Sequence, residues 1–162
     1  KWTTAERQAI GIYEVTFDDT NKKNEKWYVN TDQTFTYDAD AGTVTATYGT
    51  ATAKAHADTG SGDDLVEGLK TILIRQIKQQ ADANLSKTDW YVTRKSEKST
   101  AIPSNISTHR DAVRTKQASM ETAITNAADT AALETLYTYV NTGTEADPVY
   151  ARPLGELPEL EI

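Results

Sequence analysis

The stretch that decides the fold of the N-terminal part is TFTYDADAGTVTATY, residues 34–48. Apolar and aromatic side chains alternate with threonine on both sides of a DADAG segment, residues 38–42. A period of two places one set of side chains on a single face of a strand. Asp and Gly supply the turn chemistry between two such strands. The stretch therefore predicts a β-hairpin with one apolar face and one threonine face.

Two segments upstream repeat the strand pattern. Tyr13, Val15 and Phe17 alternate with polar residues, and a turn-rich segment separates them from Trp27–Val29. Together with the hairpin, these segments predict a small antiparallel meander of about four strands within a β-rich module, residues 1–57. A single small sheet with one apolar face must be covered by something else.

A helical module is predicted after a Gly- and Asp-rich linker, residues 58–64. Asp63 or Asp64 is expected to cap a helix that runs from about residue 64 to 85. Its apolar residues recur at helical spacing. They are Leu65, Leu69, Ile72, Leu73 and Ile77.

Two more helices complete the module, residues 65–143. Pro103 or Ser104 is expected to begin the second helix, and Asp129 or Thr130 to cap the third. The apolar stripe of the second helix is Ile106, Val113, Met120 and Ile124, and that of the third is Leu133, Leu136, Tyr137 and Val140. Strands followed by helices indicate an α+β fold.

The tail, residues 144–162, contains three of the four prolines and five acids against one arginine. This composition predicts an extended acidic arm that lies outside the core and docks along a neighbouring subunit.

Composition limits the class of protein. The 162 residues include no Cys and carry a net charge of −7, which disfavours disulfides, thiolate metal sites and nucleic-acid binding. No apolar run is long enough for membrane insertion, and no signal peptide is recognisable. Leu, Ile, Val and Phe number only 28, about 17 per cent, below the roughly 20 per cent at which a charged chain begins to resemble a disordered one. The chain is therefore expected to complete a thin core against other subunits, as a homo-oligomer.

Enzymatic signals are weak. His56 and His109 have no nucleophile or carboxylate in a recognisable arrangement beside them. The DADAG segment departs from a calcium loop at three positions, and residues 60–62 lack the Gly-Lys-Ser/Thr of a phosphate-binding loop. We therefore expect a protein that is not an enzyme, with no catalytic residues, no metal and no cofactor.

Two aromatic pairs stand out, Trp27–Tyr28 and Trp90–Tyr91. In an extended segment, one ring of each pair would face the core and the other the solvent. The outward ring either covers the core or contacts a protein partner, since aromatic residues dominate interface hot spots. A threonine-lined face with exposed Tyr is also suited to stacking on sugars.

The segments LSKTDWYVTR, AIP and RDAVR, which begin at Leu85, Ala101 and Arg110, resemble a module near the C-termini of tailed-phage proteins. Such modules occur in tail assembly chaperones and in tail-fibre or virion structural proteins. Residues 68–72 and 152–158 are similar to proteins of marine phages. A third helix and an acidic arm follow the Arg pair here, and strands precede the module. These departures from the chaperone pattern favour a protein that stays in the particle.

The resemblance implies a structural role for its residues, without catalysis. Asp89 can cap a turn, Trp90 can lock the first helix against the second, and Pro103 can set the first turn of the second helix. Arg94, Arg110 and Arg114 are expected to pair with Asp89 or Glu97. The predicted structural staple is Asp89, Trp90, Tyr91, Arg94, Pro103, Arg110 and Arg114, with Trp27 and Tyr28 as further partner contacts.

The resulting expectation is a structural component of a phage tail, made in the host cytoplasm and located in the virion. Its partners would be other phage tail proteins. One alternative is a tail assembly chaperone that is absent from the mature particle. Another is a carbohydrate-binding tip module that binds a host-surface glycan.

Overall fold

The computed structural model describes residues 1–160, which form two units. The sheet unit is Lys1–Lys54, and the helical unit begins at Ala55.

The sheet unit opens with a short helix, α1 (Thr4–Ala9), which begins with a capping box. The hydroxyl of Thr3 accepts from the backbone N–H of Glu6, and the carboxylate of Glu6 accepts from the N–H of Thr3. Five strands follow. They are β1 (Val15–Asp18), β2 (Tyr28–Val29), β3 (Gln33–Asp38), β4 (Thr43–Tyr48) and β5 (Thr52–Ala53).

The predicted hairpin is confirmed. Strands β3 and β4 pair antiparallel from Gln33 opposite Tyr48 to Asp38 opposite Thr43. The carboxylate of Asp38 accepts from the backbone N–H groups of Asp40 and Ala41 at 2.9 and 3.0 Å. These two bonds replace backbone pairing in the turn.

The predicted antiparallel meander is wrong. The strand order is β1-β4-β3, and β1 pairs with β4 in parallel, with Val15 opposite Val44. Strand β2 pairs with β5 in a separate antiparallel ribbon. Alternation along a strand determines which side chains share a face but not the direction of the partner strand. The long connection between β1 and β4 has room for the crossover that a parallel pair requires.

One face of the three-stranded sheet is apolar. The register places Val44 between Val15 and Tyr37, and Ala46 between Phe17 and Phe35. Ala46 is fully buried, whereas Phe17 and Phe35 are 68% and 64% exposed. The opposite face presents threonines. They are Thr16, Thr34, Thr36, Thr45 and Thr47.

The helical unit contains four main helices and a short ribbon. They are α2 (Leu69–Ser86), α3 (Asp89–Lys98), α4 (Ser104–Asn126), α5 (Thr130–Tyr137), β6 (Val140–Asn141) and β7 (Tyr150–Ala151). The predicted stripe of α4 is confirmed, because all four of its residues are buried. They pack in a core with Leu73 and Ile77 of α2 and Leu133 of α5. The α+β class is therefore confirmed.

Two helix boundaries differ from the prediction. Helix α2 begins after Gly68, so neither Asp63 nor Asp64 caps it, and Leu65 is half exposed instead of lying in the stripe. Asp63 and Asp64 lie instead in a short 3-10 turn, Gly62–Asp64. Asp129 caps α5 as predicted, but Val140 lies beyond the helix, in β6.

Helix α3 was not predicted, and the expectation that Trp90 and Tyr91 lie in an extended segment is wrong. No residue of α3 is buried, so the helix has no apolar face that packs on a core. Without such a face, the sequence shows no helical spacing of apolar residues that would have indicated this helix. Charge placement supports it instead, with Asp89 in the first turn and Lys95 and Lys98 in the last.

Candidate functional site

The clearest polar site in the helical unit surrounds Arg110, which is 8% exposed. Its Nη1 atom donates to the carbonyl oxygen of Leu85 at 2.9 Å, to Oγ1 of Thr88 at 2.8 Å and to Oδ1 of Asp89 at 2.8 Å. Thr88 is 1% exposed, and its hydroxyl also donates to Leu85. A cation from α4 thus binds the C-terminal end of α2 and the N-terminal end of α3 together.

A second polar bridge joins this corner to the tail. Nε2 of His109 lies 3.0 Å from Oδ1 of Asn84, and Nδ2 of Asn84 donates to the carbonyl oxygen of Pro158 at 2.7 Å. His109 is 8% exposed, so its contact with Asn84 is a largely buried polar link between α4 and α2. The bridge joins α2, α4 and the tail.

The tail packs on the helices of its own chain. Leu154 is 3% exposed, and its N–H donates to the carbonyl oxygen of Leu136 at 3.0 Å. The guanidinium of Arg152 bonds to Glu156 and lies 5.2 Å from the ring centre of Tyr137. The expectation that the tail stays outside the core is therefore wrong at Leu154.

Of the predicted staple, the structure brings Asp89 and Arg110 together and places Pro103 at the N-cap of α4. Arg114 points elsewhere and pairs with Asp111 at 3.1 Å on the surface. Arg110 and Arg114 share a helix but differ in role, because only Arg110 reaches the α2–α3 corner.

The aromatic members of the staple remain near the surface. Trp90 is 51% exposed and does not lock one helix against another. Its ring centre lies 3.7 Å from that of Tyr91, and the guanidinium of Arg94 lies 5.6 Å from the Trp90 ring. Arg94 therefore contacts an aromatic ring instead of pairing with Asp89 or Glu97. A cavity of about 250 Å³ lies beside this cluster and is lined partly by Thr88 and Tyr91.

The first aromatic pair behaves differently from the second. Trp27 is 2% exposed and Tyr28 is half-buried, so Trp27 is a core residue of the chain. The exposed aromatic residues on the apolar face of the sheet are instead Phe17, Phe35 and Tyr37, and Trp2, which precedes α1, is exposed as well. The positions of Phe17, Phe35 and Tyr37 in the alternating pattern indicated that they share a face. What the pattern could not show is that, within the sheet unit, Phe17 and Phe35 stay mostly exposed and Tyr37 contacts the ring of Tyr13 at 4.6 Å between ring centres.

The predicted linker is an ordered loop. The N–H of Gly68 donates to Oδ1 of Asp58 at 2.7 Å, and the hydroxyl of Thr71 donates to Oδ2 of the same carboxylate at 2.9 Å. These bonds, the first above all, lower the pKa of Asp58 from its ordinary value. Thr59 and Val66 exchange backbone bonds at 3.0 and 2.8 Å, which closes the loop.

Within residues 1–160, no three His, Asp or Glu side chains come together as metal ligands would. None of the helices in that range has the length and apolarity needed to cross a membrane. In comparisons with known proteins, no family model, no curated protein and no solved structure matches the chain.

Proposed function

We propose that this chain is a structural protein of a phage tail that acts through protein–protein contacts and not as an enzyme. The apolar face of its sheet is the observation that carries the proposal. Phe17, Phe35 and Tyr37 share this face and are 68%, 64% and 50% exposed. Exposed apolar patches of this kind are typical of interaction sites.

The size and chemistry of the face suit a protein partner. An aromatic side chain contributes about 150–250 Å² of surface, so the exposed fractions of these three rings amount to a few hundred Å². Val15 extends the patch at the edge of the sheet. Aromatic residues are enriched in the centres of interfaces. The opposite face of the same sheet is polar and carries threonines.

Placement in a phage tail is supported by the resemblance of residues 85–114. Two residues of that motif, Asp89 and Arg110, form the 2.8 Å ion pair that ties the α2–α3 corner to α4. The proposed partners are other tail proteins, and the proposed location is the virion, after synthesis in the host cytoplasm.

Mass spectrometry of purified virions tests the location. The proposal expects the chain in finished particles in a fixed ratio to other tail proteins. A chain that is abundant in infected cells but missing from particles would instead be a tail assembly chaperone, which is the alternative function.

A paired substitution tests the surface. Phe17→Ser with Phe35→Ser should abolish incorporation into particles while the far-ultraviolet circular dichroism spectrum is unchanged. The matched control is Thr34→Ser with Thr36→Ser on the opposite face of the same sheet, which should incorporate normally. Incorporation of the double Phe variant at the wild-type level would contradict the proposed role of this face.

A carbohydrate-binding tip module is the second candidate, and the exposed rings of Tyr37 and Trp90 favour it. Sugars stack on such rings. Binding to a glycan array that is lost in Tyr37→Ala or Trp90→Ala would support this function over a purely structural one.

A further inference from the structure

Two exposed surfaces of opposite charge begin at opposite ends of α2 in the helical unit. We call residues 59–67 the acidic loop, which precedes the N-terminus of α2. We call α3 together with Lys87 the basic helix, which follows the C-terminus of α2. An 18-residue helix is about 27 Å long, so the surfaces start far apart in one chain.

The acidic loop presents apolar side chains beside carboxylates. Leu65 and Val66 are 50% and 62% exposed, and Asp63 and Asp64 precede them directly. Its backbone is held by the paired bonds between Thr59 and Val66. A loop that is already ordered loses little conformational entropy on binding.

The basic helix presents a complementary surface. Trp90 is 51% exposed, and Arg94 and Lys98 follow it at successive intervals of four residues on one side of the helix. Lys95 and Lys87 add positive charge at exposed positions, whereas Asp89 is occupied by the ion pair with Arg110. Glu97 is the other acid of the basic helix, whose charge remains positive overall. A helix face with an exposed Trp and a surplus of cations is suited to an acidic, partly apolar partner.

We propose that the acidic loop of one copy of this chain docks on the basic helix of the next copy. Leu65 and Val66 contact Trp90, and Asp63 and Asp64 face the cations. No ion pair joins the two surfaces within the described part of a single chain. The contact is heterologous, because a different surface of each copy is used, and it builds a ring or an open filament.

This inference rests on the proposed role in protein contacts but uses a surface separate from the apolar sheet face. Complementary charges orient the encounter and make association sensitive to salt. The Debye length shortens from about 10 Å at 0.1 M salt to about 3 Å at 1 M. Self-association should therefore weaken as salt is added.

A charge exchange tests the contact. The loop variant is Asp63→Lys with Asp64→Lys, and the helix variant is Lys95→Glu with Lys98→Glu. Sedimentation velocity at low salt should show self-association of the wild type, and each variant alone should associate about ten- to a hundredfold more weakly. An equimolar mixture of the two variants should recover association, because every reversed surface then meets an opposite one.

Matched controls change the same charge elsewhere. Asp19→Lys with Asp32→Lys, and Lys1→Glu with Lys23→Glu, lie in the sheet unit and should associate as the wild type does. Recovery in the mixture also excludes unfolding as the reason why either variant fails alone. A wild type that stays monomeric up to millimolar concentration, or a mixture without recovery, would overturn the inference.

The outcome is distinguishable from failure of the proposed function. Association that is insensitive to both charge variants but lost in Phe17→Ser with Phe35→Ser would reject the head-to-tail contact and keep the sheet face as the interface. Absence of the chain from virions would reject the virion role and leave the charge exchange unaffected.

Discussion

The two units differ in how they use a small supply of apolar side chains. In the sheet unit, only Trp27 and Ala46 are buried apolar residues, and Phe17 and Phe35 are mostly exposed. Within the described residues of the helical unit, the buried apolar side chains form one core. They are Leu73, Ile77, Ala81, Ile106, Val113, Met120, Ile124, Ala127, Leu133 and Leu154. The low overall apolar content therefore reflects a helical unit that fills its own core and a sheet unit that leaves aromatic side chains exposed.

The largest expected effect contrasts one residue from each unit. Leu73→Ala should reduce the free energy of unfolding by about 2–5 kcal/mol, because Leu73 is 2% exposed and its loss leaves a cavity. Phe35→Ala removes a larger side chain but should cost less than about 1 kcal/mol, because most of the ring is already in solvent.

Urea unfolding measures both values. Circular dichroism reports the helical unit, and tryptophan fluorescence reports the sheet unit through Trp27, whose exposure is 2% against 64% for Trp2 and 51% for Trp90. If Phe35→Ala destabilised the isolated chain as much as Leu73→Ala, the proposed difference between an exposed sheet face and a buried helical core would be contradicted.

A smaller effect tests whether the tail belongs to the helical core. Leu154→Ala should lower the free energy of unfolding by about 2–3 kcal/mol, since Leu154 is 3% exposed. Val149→Ala, in the same tail but 53% exposed, is the matched control and should change it by less than about 0.5 kcal/mol. Equal values for the two variants would mean that the tail does not dock as described.

The polar corner of the helical unit should contribute less than its apolar core. Arg110→Met leaves the buried Oγ1 of Thr88 without its donor and breaks the ion pair with Asp89, at a cost of about 1–3 kcal/mol. The carbonyl of Leu85 still accepts from Thr88. Arg114→Met breaks only a surface ion pair with Asp111 and should cost about 0–1 kcal/mol. Thermal denaturation of the two variants gives the difference, and a larger loss for Arg114→Met would reverse the assigned roles.

The smallest effect is a pH dependence at Asp58, which directly precedes the acidic loop. Hydrogen bonds from Gly68 and Thr71 lower the pKa of Asp58 in the folded chain. Its charge therefore stabilises the fold above the ordinary aspartate pKa, and this contribution is lost as the pH falls through the lowered pKa. Asp58→Asn should be less stable than the wild type at neutral pH, and the gap should close in acid.

Asp82→Asn is the control for the pH series. Its carboxylate lies on the exposed side of α2 and takes part in no hydrogen bond or ion pair among residues 1–160. A gap between Asp58→Asn and the wild type that persisted unchanged in acid would show that the charge of Asp58 contributes nothing.

Local patterns predicted the parts of the fold that depend on neighbouring residues. The alternation around residues 38–42 predicted the hairpin, and the spacing of Ile106, Val113 and Met120 predicted the buried face of α4. Both depend on periodicity over a few turns or a few strand positions. Asp129 was recognised as a cap for the same reason, since capping uses bonds within four residues.

Features set by distant contacts were not predictable in this way. The parallel pairing of β1 with β4 joins residues 29 positions apart, and side-chain alternation is the same for either strand direction. Helix α3 has no buried residue, so no helical spacing of apolar residues indicates it. Its N-terminal end is held against α4 by the Asp89–Arg110 ion pair, a contact between residues distant in the sequence. Of the candidate site, the sequence indicated Asp89 and Arg110 but missed Thr88, the contact of His109 with Asn84 and the exposure of Phe17 and Phe35.

By itself, the sequence determined the hairpin of β3 and β4, the buried face of α4 and the cap of α5, because these follow from local periodicity and capping. The tertiary structure decided that Leu154 enters the core, that residues 58–68 form an ordered loop, and that Phe17 and Phe35 stay exposed. Burial depends on which surfaces the folded chain brings together, and no short-range pattern specifies that. The few apolar residues are thus concentrated in the core of the helical unit, while the aromatic side chains of the sheet remain exposed.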